Sequence, residues 1–328
     1  SSAPTIEDGS AYFQATTYSG TGSAREVNQS GNSQFTPDFV WVKKRNGTNE
    51  HRLIDAVRGA TKTLFSDGTA AESTESTGVT SFDSDGFSVG TGGGYNNSSG
   101  TYVGWQWLAG NSTASNSNGS ITSTVSVNQT AGFSIVKYTG NATVGATVGH
   151  GLGAVPSWIV IKPTGVTEGW ANYHVGIGNT GGVYWNSTIA TDTGDYYWDN
   201  TTPTSSVFTL HDHPLNNGSG NEMIAYCWCE KPGFSKFGAY TGNGSTDGPF
   251  IEMGFLPAYL MIKKTSATGP WVITDAARNP FNKVTEKVEA NSSNAEATDG
   301  SGGFWDYLSN GFKIRGSGSD VNGSSVSY

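Results

Sequence analysis

The chain has 328 residues, of which 46 are glycine and only 14% are charged, with a formal net charge of −9. A negative balance argues against a protein that binds duplex nucleic acid, since such binding needs a basic patch, and no apolar run approaches the ~18 residues of a membrane-spanning helix. Aromatic residues make up 12% of the chain, which excludes a disordered chain and, with abundant Gly, Asn, Ser and Thr, indicates short strands joined by turns.

One pattern occurs three times: a Tyr-x-Gly turn, then a proline, then a strand of alternating apolar residues. The landmarks of this repeat are Tyr18 and Pro37, Tyr138 and Pro156, and Tyr240 and Pro257. Successive tyrosines are 120 and 102 residues apart, and successive prolines 119 and 101, so two landmarks keep nearly the same spacing. A proline is tolerated at the start of a strand, and the repeat predicts three copies of one folding unit.

The repeat predicts an all-β chain of three tandem units. Residues 1–14 lead into unit 1, which spans 15–110, and units 2 and 3 span 131–231 and 232–328. Residues 111–130 are expected to form a flexible linker, because Gly, Asn, Ser and Thr dominate its first half. About 100 residues of short strands per unit suit an antiparallel two-sheet β-sandwich of the jelly-roll or lectin type.

The last strand of unit 3 is expected to be incomplete. Tyr328 matches Tyr102 of unit 1, after which unit 1 continues for another half-strand. An unpaired strand edge invites pairing, so we expect this half-strand to come from residues beyond 328 or from another chain.

Several motifs of unit 1 resemble those of a known family. They are the turn at Tyr18, the strand Phe39–Lys43, the motif Asp55–Arg58, the turn Asp83–Phe87 and the closing strand Tyr102–Trp105. Together they resemble a repeated domain of tailed-phage virion proteins, often from marine phages and usually tail-fibre or other structural proteins. The resemblance covers nearly the whole chain and implies a concanavalin-like sandwich and a role on the virion surface, with no established catalytic residues.

An Asp-x-x-Arg motif occurs as Asp55 with Arg58 and as Asp275 with Arg278. We expect each pair to form an ion pair that holds a loop, because a repeated fold repeats its structural contacts. The alternative is a grip on a sugar or a partner by the rigid donor fork of arginine. Unit 2 lacks the motif at this place, which argues against a ligand role shared by all three units.

Metal sites are weakly indicated, and no other cofactor is expected. The segment Asp83–Gly86 looks like half of a calcium loop, but the remaining ligands are missing and Asp and Gly also form turns. His211 and His213 lie two apart and, on a strand, would point the same way and could bind one metal ion. The alternative is a pair of exposed loop histidines.

The middle of unit 2 is the candidate glycan site. Its residues are Trp170, Tyr173, Trp185, Asp192, Asp195, Tyr197 and Trp198. Aromatic faces stack on sugar rings and carboxylates accept from hydroxyls. The alternative is that these aromatics pack in the core or at an interface, where Tyr and Trp are also enriched.

The expected function is adhesion without catalysis. No Gly-x-Ser-x-Gly, His-Glu-x-x-His or phosphate loop occurs, so we assign no catalytic residue. We expect an extracellular part of a phage tail fibre, a homotrimer beside other virion proteins, that adheres to a host glycan or surface protein by multivalent contacts. The alternatives are a purely structural virion protein (a decoration or connector), a glycan depolymerase using Asp192 and Asp195, and a cellular adhesin or extracellular filament subunit.

Overall fold

The computed structural model of the protein describes residues 3–300 and 302–328, so the first two residues of the leading segment lie outside the described residues. Strands make up 38% of the structure and helices 5%, and the sheets are antiparallel. The prediction of an all-β sandwich-type fold is therefore confirmed. Within the described part of the chain, no helix is long and apolar enough to cross a membrane.

Unit 1 is a sandwich of a large and a small sheet. After a 3-10 turn at Gly9–Ala11, its elements are β1 (Phe13–Ser19), β2 (Arg25–Asn28), β3 (Phe39–Lys44), β4 (Arg52–Asp55), β5 (Lys62–Phe65), β6 (Ser73–Thr74), β7 (Val79–Asp83), β8 (Gly86–Val89), α1 (Gly93–Asn96) and β9 (Thr101–Trp107). The large sheet has the order β1-β9-β3-β4-β5-β6 and the small one β2-β8-β7. Val40 and Val42 of β3 pack with Phe87 of β8 between the sheets, because alternate residues of a strand share a face.

Unit 2 repeats this sandwich with two additional strands at one edge. Its elements are β10 (Ala114–Asn116), β11 (Ser123–Asn128), β12 (Phe133–Thr139), β13 (Ala146–Gly149), β14 (Trp158–Pro163), β15 (Ala171–His174), β16 (Gly181–Tyr184), β17 (Asp192–Thr193), β18 (Val207–Leu210), α2 (Pro214–Asn217) and β19 (Glu222–Trp228). The large sheet has the order β10-β11-β12-β19-β14-β15-β16-β17, and β13 pairs with β18.

The prediction of a flexible linker over 111–130 is wrong. This segment contains β10 and β11, and β11 pairs with β12 from Thr124 to Asn128. Val125 of β11 is buried in the core of unit 2. The alternation of Val125 and Val127 with polar residues is the strand signal that outweighs the Gly- and Ser-rich composition.

Unit 3 has a shorter large sheet. Its elements are β20 (Phe250–Glu252), β21 (Tyr259–Lys263), β22 (Trp271–Asp275), β23 (Glu286–Glu289), β24 (Ala297–Thr298), β25 (Trp305–Leu308), β26 (Gly311–Ile314) and α3 (Ser319–Asn322). The sheets have the orders β21-β22-β23-β24 and β20-β26-β25. In the other units β3 and β14 are paired on both sides, with β4 and β9 and with β15 and β19. Among the described strands β21 pairs with β22 alone.

The tyrosine of the repeat has one structural role in all three units. Its hydroxyl donates to the carbonyl oxygen of the third residue of the short helix: Tyr18 to Tyr95 (2.8 Å), Tyr138 to Asn216 (2.6 Å) and Tyr240 to Val321 (2.7 Å). Each bond satisfies a carbonyl near the end of a helix that is too short to satisfy it internally. The Tyr-x-Gly turn is thus fixed to the same neighbour each time.

The three units close into a ring. The strands β3, β14 and β21 each carry one buried lysine at the same position, namely Lys43, Lys162 and Lys263. The residue directly before β6, β17 and β24 donates its backbone N–H to the carbonyl oxygen two positions after this lysine in the next unit: Glu72 to Thr164 (2.7 Å), Thr191 to Thr265 (2.8 Å) and Glu296 to Arg45 (2.7 Å). The first bond joins unit 1 to unit 2, the second joins unit 2 to unit 3, and the third joins unit 3 to unit 1. The tandem repeat is therefore a closed, approximately threefold arrangement.

The large sheets turn their second faces toward a core that all three units share. Trp41 of unit 1 packs edge-on against Trp185 of unit 2, with 4.9 Å between the ring centroids. Trp105 of unit 1 packs in the same way against Tyr259 of unit 3, with 5.8 Å between the ring centroids. Aromatic side chains bury ~150–250 Å² each. The chain thus has three inner cores and one shared core, without a disulfide, since both cysteines are free.

Candidate functional site

The ion pair of unit 1 is fully buried. Arg58 Nε lies 2.5 Å from Asp55 Oδ2, and the two side chains are 1% and 0% exposed. Asp55 Oδ1 accepts from the backbone N–H groups of Val57 and Arg58, and Arg58 Nη1 reaches Glu72 at 3.1 Å. Burial opposes the charge of Arg58, but the adjacent carboxylates prevail and raise the pKa of its guanidinium.

The ion pair of unit 3 is built in the same way. Arg278 Nε lies 2.6 Å from Asp275 Oδ2, and Arg278 Nη1 lies 3.0 Å from Glu296. Glu296 also accepts two 2.9 Å hydrogen bonds from Arg45 of unit 1. Burial would raise the pKa of Glu296, but its hydrogen bonds with Arg45 and the charge of Arg278 lower it.

Both ion pairs belong to the junctions between units. Tyr226 of unit 2 donates to Asp55 Oδ2 at 2.7 Å, and Trp105 Nε1 of unit 1 donates to Asp275 Oδ2 at 3.1 Å. His174 takes the place of the acid in unit 2, since it pairs with the first residue of β14 as Asp55 pairs with that of β3. The expected structural ion pairs are present, and their burial leaves no donor for a sugar.

The aromatic residues of the candidate glycan site are buried. Trp170 and Trp185 lie in the shared core, and Tyr173, Tyr197 and Trp198 lie in the inner core of unit 2. All five are at most 3% exposed. Stacking of these rings on a glycan is therefore a wrong prediction, because both faces of the unit 2 sheet are covered and the rings fill the two cores.

The two carboxylates of the predicted glycan site have different surroundings. Asp192 Oδ2 accepts hydrogen bonds from Tyr196 (2.5 Å), Tyr197 (2.7 Å) and Tyr184 (3.3 Å). Asp195 is exposed. Asp192 thus holds three phenol groups together, whereas Asp195 is open to solvent.

The predicted metal-binding histidines are used locally. His213 Nδ1 accepts from the N–H of Leu215 at 3.2 Å and so caps α2, and its ring packs on Tyr196. His211 Nδ1 lies 2.6 Å from Asp212. In residues 3–300 and 302–328, no group of three or more His, Cys, Asp or Glu side chains is arranged to hold a metal ion.

The half-calcium motif is a turn in the structure. Asp83 accepts 2.7 Å hydrogen bonds from Ser81 and Ser88, and Asp85 accepts one of 2.8 Å from Asn28. The segment connects β7 to β8, and Gly86 has a φ of 153° with a strand opposite it. These contacts fit the turn interpretation of the motif.

A cleft of about 340 Å³ opens on unit 1 and was not predicted from the sequence. Its walls are Arg52, the segment 74–77 and the segment 92–95. Arg52 Nε donates to Glu75 Oε2 at 3.2 Å and Nη1 donates to the carbonyl of Glu50 at 2.9 Å. The hydroxyl of Tyr95 donates to the same Glu75 oxygen. The cleft thus has an arginine and a carboxylate side by side on one wall.

Arg52 is held by the rings and the backbone around it. Its guanidinium carbon lies 5.1 Å from the centre of the Tyr95 ring and 5.7 Å from that of Phe65. A Cβ at Gly94 would lie 2.2 Å from this carbon, so a larger residue there would displace the guanidinium. The guanidinium is therefore preorganised by contacts on several sides.

The sequence contains one signal for this cleft. One register position of the repeat differs among the units. The residue paired with Val42 is Arg52, whereas the residues paired with the matching Ile161 and Ile262 are Ala171 and Val272. Units 2 and 3 show that the fold is satisfied by an aliphatic residue here. A charged residue in unit 1 alone marks a local feature of that unit.

A second cleft, of about 260 Å³, lies on unit 3. It is lined by Thr246, Lys283, Gly302, Asp306 and Arg315. Arg315 Nε lies 2.7 Å from Asp306 Oδ2. The second cleft thus contains an arginine–carboxylate ion pair, as the first cleft does.

Comparison with known proteins identifies the family. The model of a family described as a domain of unknown function, DUF7483, matches residues 8–328, and so spans all three units. No curated protein and no solved structure matches the chain. The chain belongs to the DUF7483 family.

Proposed function

We propose that this chain is a non-enzymatic surface module of a phage virion, part of a tail fibre, that adheres to glycans of the host cell. The cleft of unit 1 carries the proposal, since it sets Arg52 beside Glu75 at a place where units 2 and 3 have an aliphatic residue instead of the arginine. The resemblance of the repeat to virion proteins supports the location. We therefore assign glycan contact to this cleft, and not to the aromatic residues of unit 2, which are buried.

The ring suits adhesion because it holds the cleft rigidly. Unit 1 is bonded to unit 2 through Glu72 and to unit 3 through Arg45, and a preorganised site loses less entropy on binding. A single shallow polar site binds a sugar weakly. Several copies of the chain on one virion would raise the effective concentration and sum weak contacts into firm adhesion.

The test is binding of the purified, fluorescently labelled chain to bacterial cells and to a panel of immobilised bacterial surface polysaccharides. We expect saturable binding to some cells, competed by their isolated polysaccharide and reduced by Glu75→Ala. Asp306→Asn, in the second cleft, is the matched control and should bind as the unchanged protein does. Absence of binding to every cell type and polysaccharide would contradict adhesion.

A purely structural virion protein is the second candidate function. The observation that favours it is the burial of Trp41, Trp105 and Trp185 between units, since such a protein uses aromatics for packing and does not display them. Labelling of virions with an antibody against this chain separates the two. A shell-wide distribution indicates a decoration role, whereas label at fibre tips indicates adhesion.

The oligomeric state of the chain stays a prediction. The expected homotrimer places three chains around an axis, whereas the structure has three units of one chain in such an arrangement. Native mass measurement decides between one chain and three.

A further inference from the structure

We propose that the cleft of unit 1 binds a neutral carbohydrate through a vicinal diol. One sugar hydroxyl donates to Glu75 Oε1, and its neighbour accepts from Arg52 Nη2. This inference rests on the proposed function and names the site and the chemical class of the ligand.

Two polar atoms of the cleft have no partner among residues 3–300 and 302–328. Arg52 uses Nε and Nη1 in hydrogen bonds, and Nη2 makes none. Glu75 accepts from both Arg52 and Tyr95 at Oε2, and Oε1 accepts none. The side chains are 12% and 25% exposed, and neither atom is among the buried groups without a partner. An unused donor and an unused acceptor therefore face solvent on one ion pair.

This donor and acceptor match two adjacent hydroxyl groups. A hydroxyl both donates and accepts, whereas a carboxylate only accepts and a guanidinium only donates. Adjacent hydroxyls of a sugar ring can satisfy both at once, and hydrogen bonds to charged groups are the stronger kind. Thr74, Ser76 and Thr77 add exposed hydroxyl-bearing side chains on the same wall. The set is suited to a polyhydroxylated ligand.

Charge excludes an acidic sugar as the preferred ligand. The charge of Arg52 is matched by Glu75 at 3.2 Å, and the Glu50 backbone carbonyl occupies Nη1. An incoming carboxylate or phosphate would meet a carboxylate beside the guanidinium and could not form a bidentate pair with it. A volume of about 340 Å³ lies at the small end of the ~300–1,000 Å³ range of ligand pockets, which fits one sugar unit at the end of a chain.

The test is a titration of the isotopically labelled full chain with single sugars, followed by amide NMR. The probes are the methyl glycosides of mannose, galactose, glucose and rhamnose, with glucuronate and sialic acid as the acidic arm. We expect at least one neutral glycoside to shift the amides of residues 74–77 and 92–95 saturably. Glu75→Gln should weaken this binding about tenfold or more, because it replaces a charged acceptor, and Asp306→Asn should leave it unchanged.

Three results would overturn the inference: no saturable shift at these amides with any neutral glycoside, tighter binding of the acidic sugars, or equal weakening by Asp306→Asn. Thermal unfolding of Glu75→Gln shows whether weaker binding comes from the lost contact or from a lost fold. If Glu75→Gln does not fold, Arg52→Gln is the second variant. Cell adhesion without a shift in the cleft would leave adhesion standing as the function and reject the cleft as its site. A shift in the cleft without cell adhesion would do the reverse.

Discussion

The hydroxyl of Tyr226 donates a 2.7 Å hydrogen bond to Oδ2 of Asp55, and so joins the closing strand of unit 2 to the buried ion pair of unit 1. Trp105 makes the matching bond from the closing strand of unit 1 to Asp275 of unit 3. Unit 2 thus completes a polar contact of unit 1, and unit 1 completes one of unit 3. The stability of one unit should depend on the presence of the next.

Replacement of Tyr226 by Phe should lower the free energy of unfolding by about 1.5–3 kcal/mol, the usual range for a hydrogen bond to a charged group. Asp55 remains paired with Arg58, so the fold should persist. Urea denaturation followed by Trp fluorescence measures the change.

The control is Tyr173→Phe. Tyr173 is also buried in unit 2, and its hydroxyl makes no hydrogen bond to any residue that the structure describes, so its removal should change the stability by no more than about 0.5 kcal/mol. Equal losses in the two variants would mean that the contact between Tyr226 and Asp55 contributes nothing specific.

The alternation of residues predicted the strands but not the ring. In β3, Val40 and Val42 face the inner core, whereas Phe39 and Trp41 face the shared core. An alternation of residues with a period of two shows that a strand has two faces. It does not show which partner covers the second face, so a string of separate sandwiches and a closed ring have the same pattern.

The site residues were harder to predict because one residue type serves two purposes. Trp170 and Trp185 have the composition of a sugar site and in fact fill the shared core. Arg52 belongs to no motif, and its meaning emerges only from its register with Ala171 and Val272. The Asp-x-x-Arg pairs were predictable because both partners are close in sequence and recur in two units.

Acid should destabilise the shared core through His51. This histidine is buried, with Nδ1 accepting from Trp41 Nε1 at 2.9 Å, and burial holds its pKa well below 6.5. Below pH 6.5 the unfolded chain takes up a proton that the folded chain does not. The free energy of unfolding therefore falls as pH falls, by up to about 1.4 kcal/mol per pH unit.

Asp67 acts in the opposite direction, because burial raises its pKa to about 6 and the folded chain then binds a proton more readily than the unfolded one. The contribution of His51 is isolated by His51→Gln, which keeps an acceptor for Trp41. Urea denaturation from pH 7.5 to 4.5 should show a shallower fall in this variant. The partly exposed His211→Gln should follow the unchanged protein, and parallel curves for all three would exclude His51 as a cause.

Alkali should stabilise the protein through three buried lysines. Lys43, Lys162 and Lys263 occupy one position of the repeat, each donates to backbone carbonyls, and burial lowers the pKa of each to about 8. Between pH 8 and 10 the unfolded chain keeps protons that the folded chain releases, so the free energy of unfolding rises with pH. Lys162→Met should reduce this rise by about a third, whereas the partly exposed Lys137→Met should not change it. A flat profile for the unchanged protein would contradict the prediction.

An added strand should stabilise the open edge of β21. Ser327 forms an antiparallel β-bridge with Thr241, and its carbonyl oxygen accepts from the N–H of Thr265 at 2.9 Å. Thr101, at the start of β9, is held in the same way between Ser19 and Arg45. Appending the sequence Val-Gly-Trp-Gln-Trp of β9 after Tyr328 should place a strand beside β21 and cover Tyr259, which is only partly buried. Burial of one large apolar side chain contributes about 1.5–3 kcal/mol, so the melting temperature should rise by several degrees and the amides of β21 should exchange more slowly with deuterium. The control extension Val-Gly-Pro-Gln-Pro cannot complete the ladder, because proline has no N–H to donate. An equal rise with both extensions, or none with either, would show that the edge of β21 does not accept a strand.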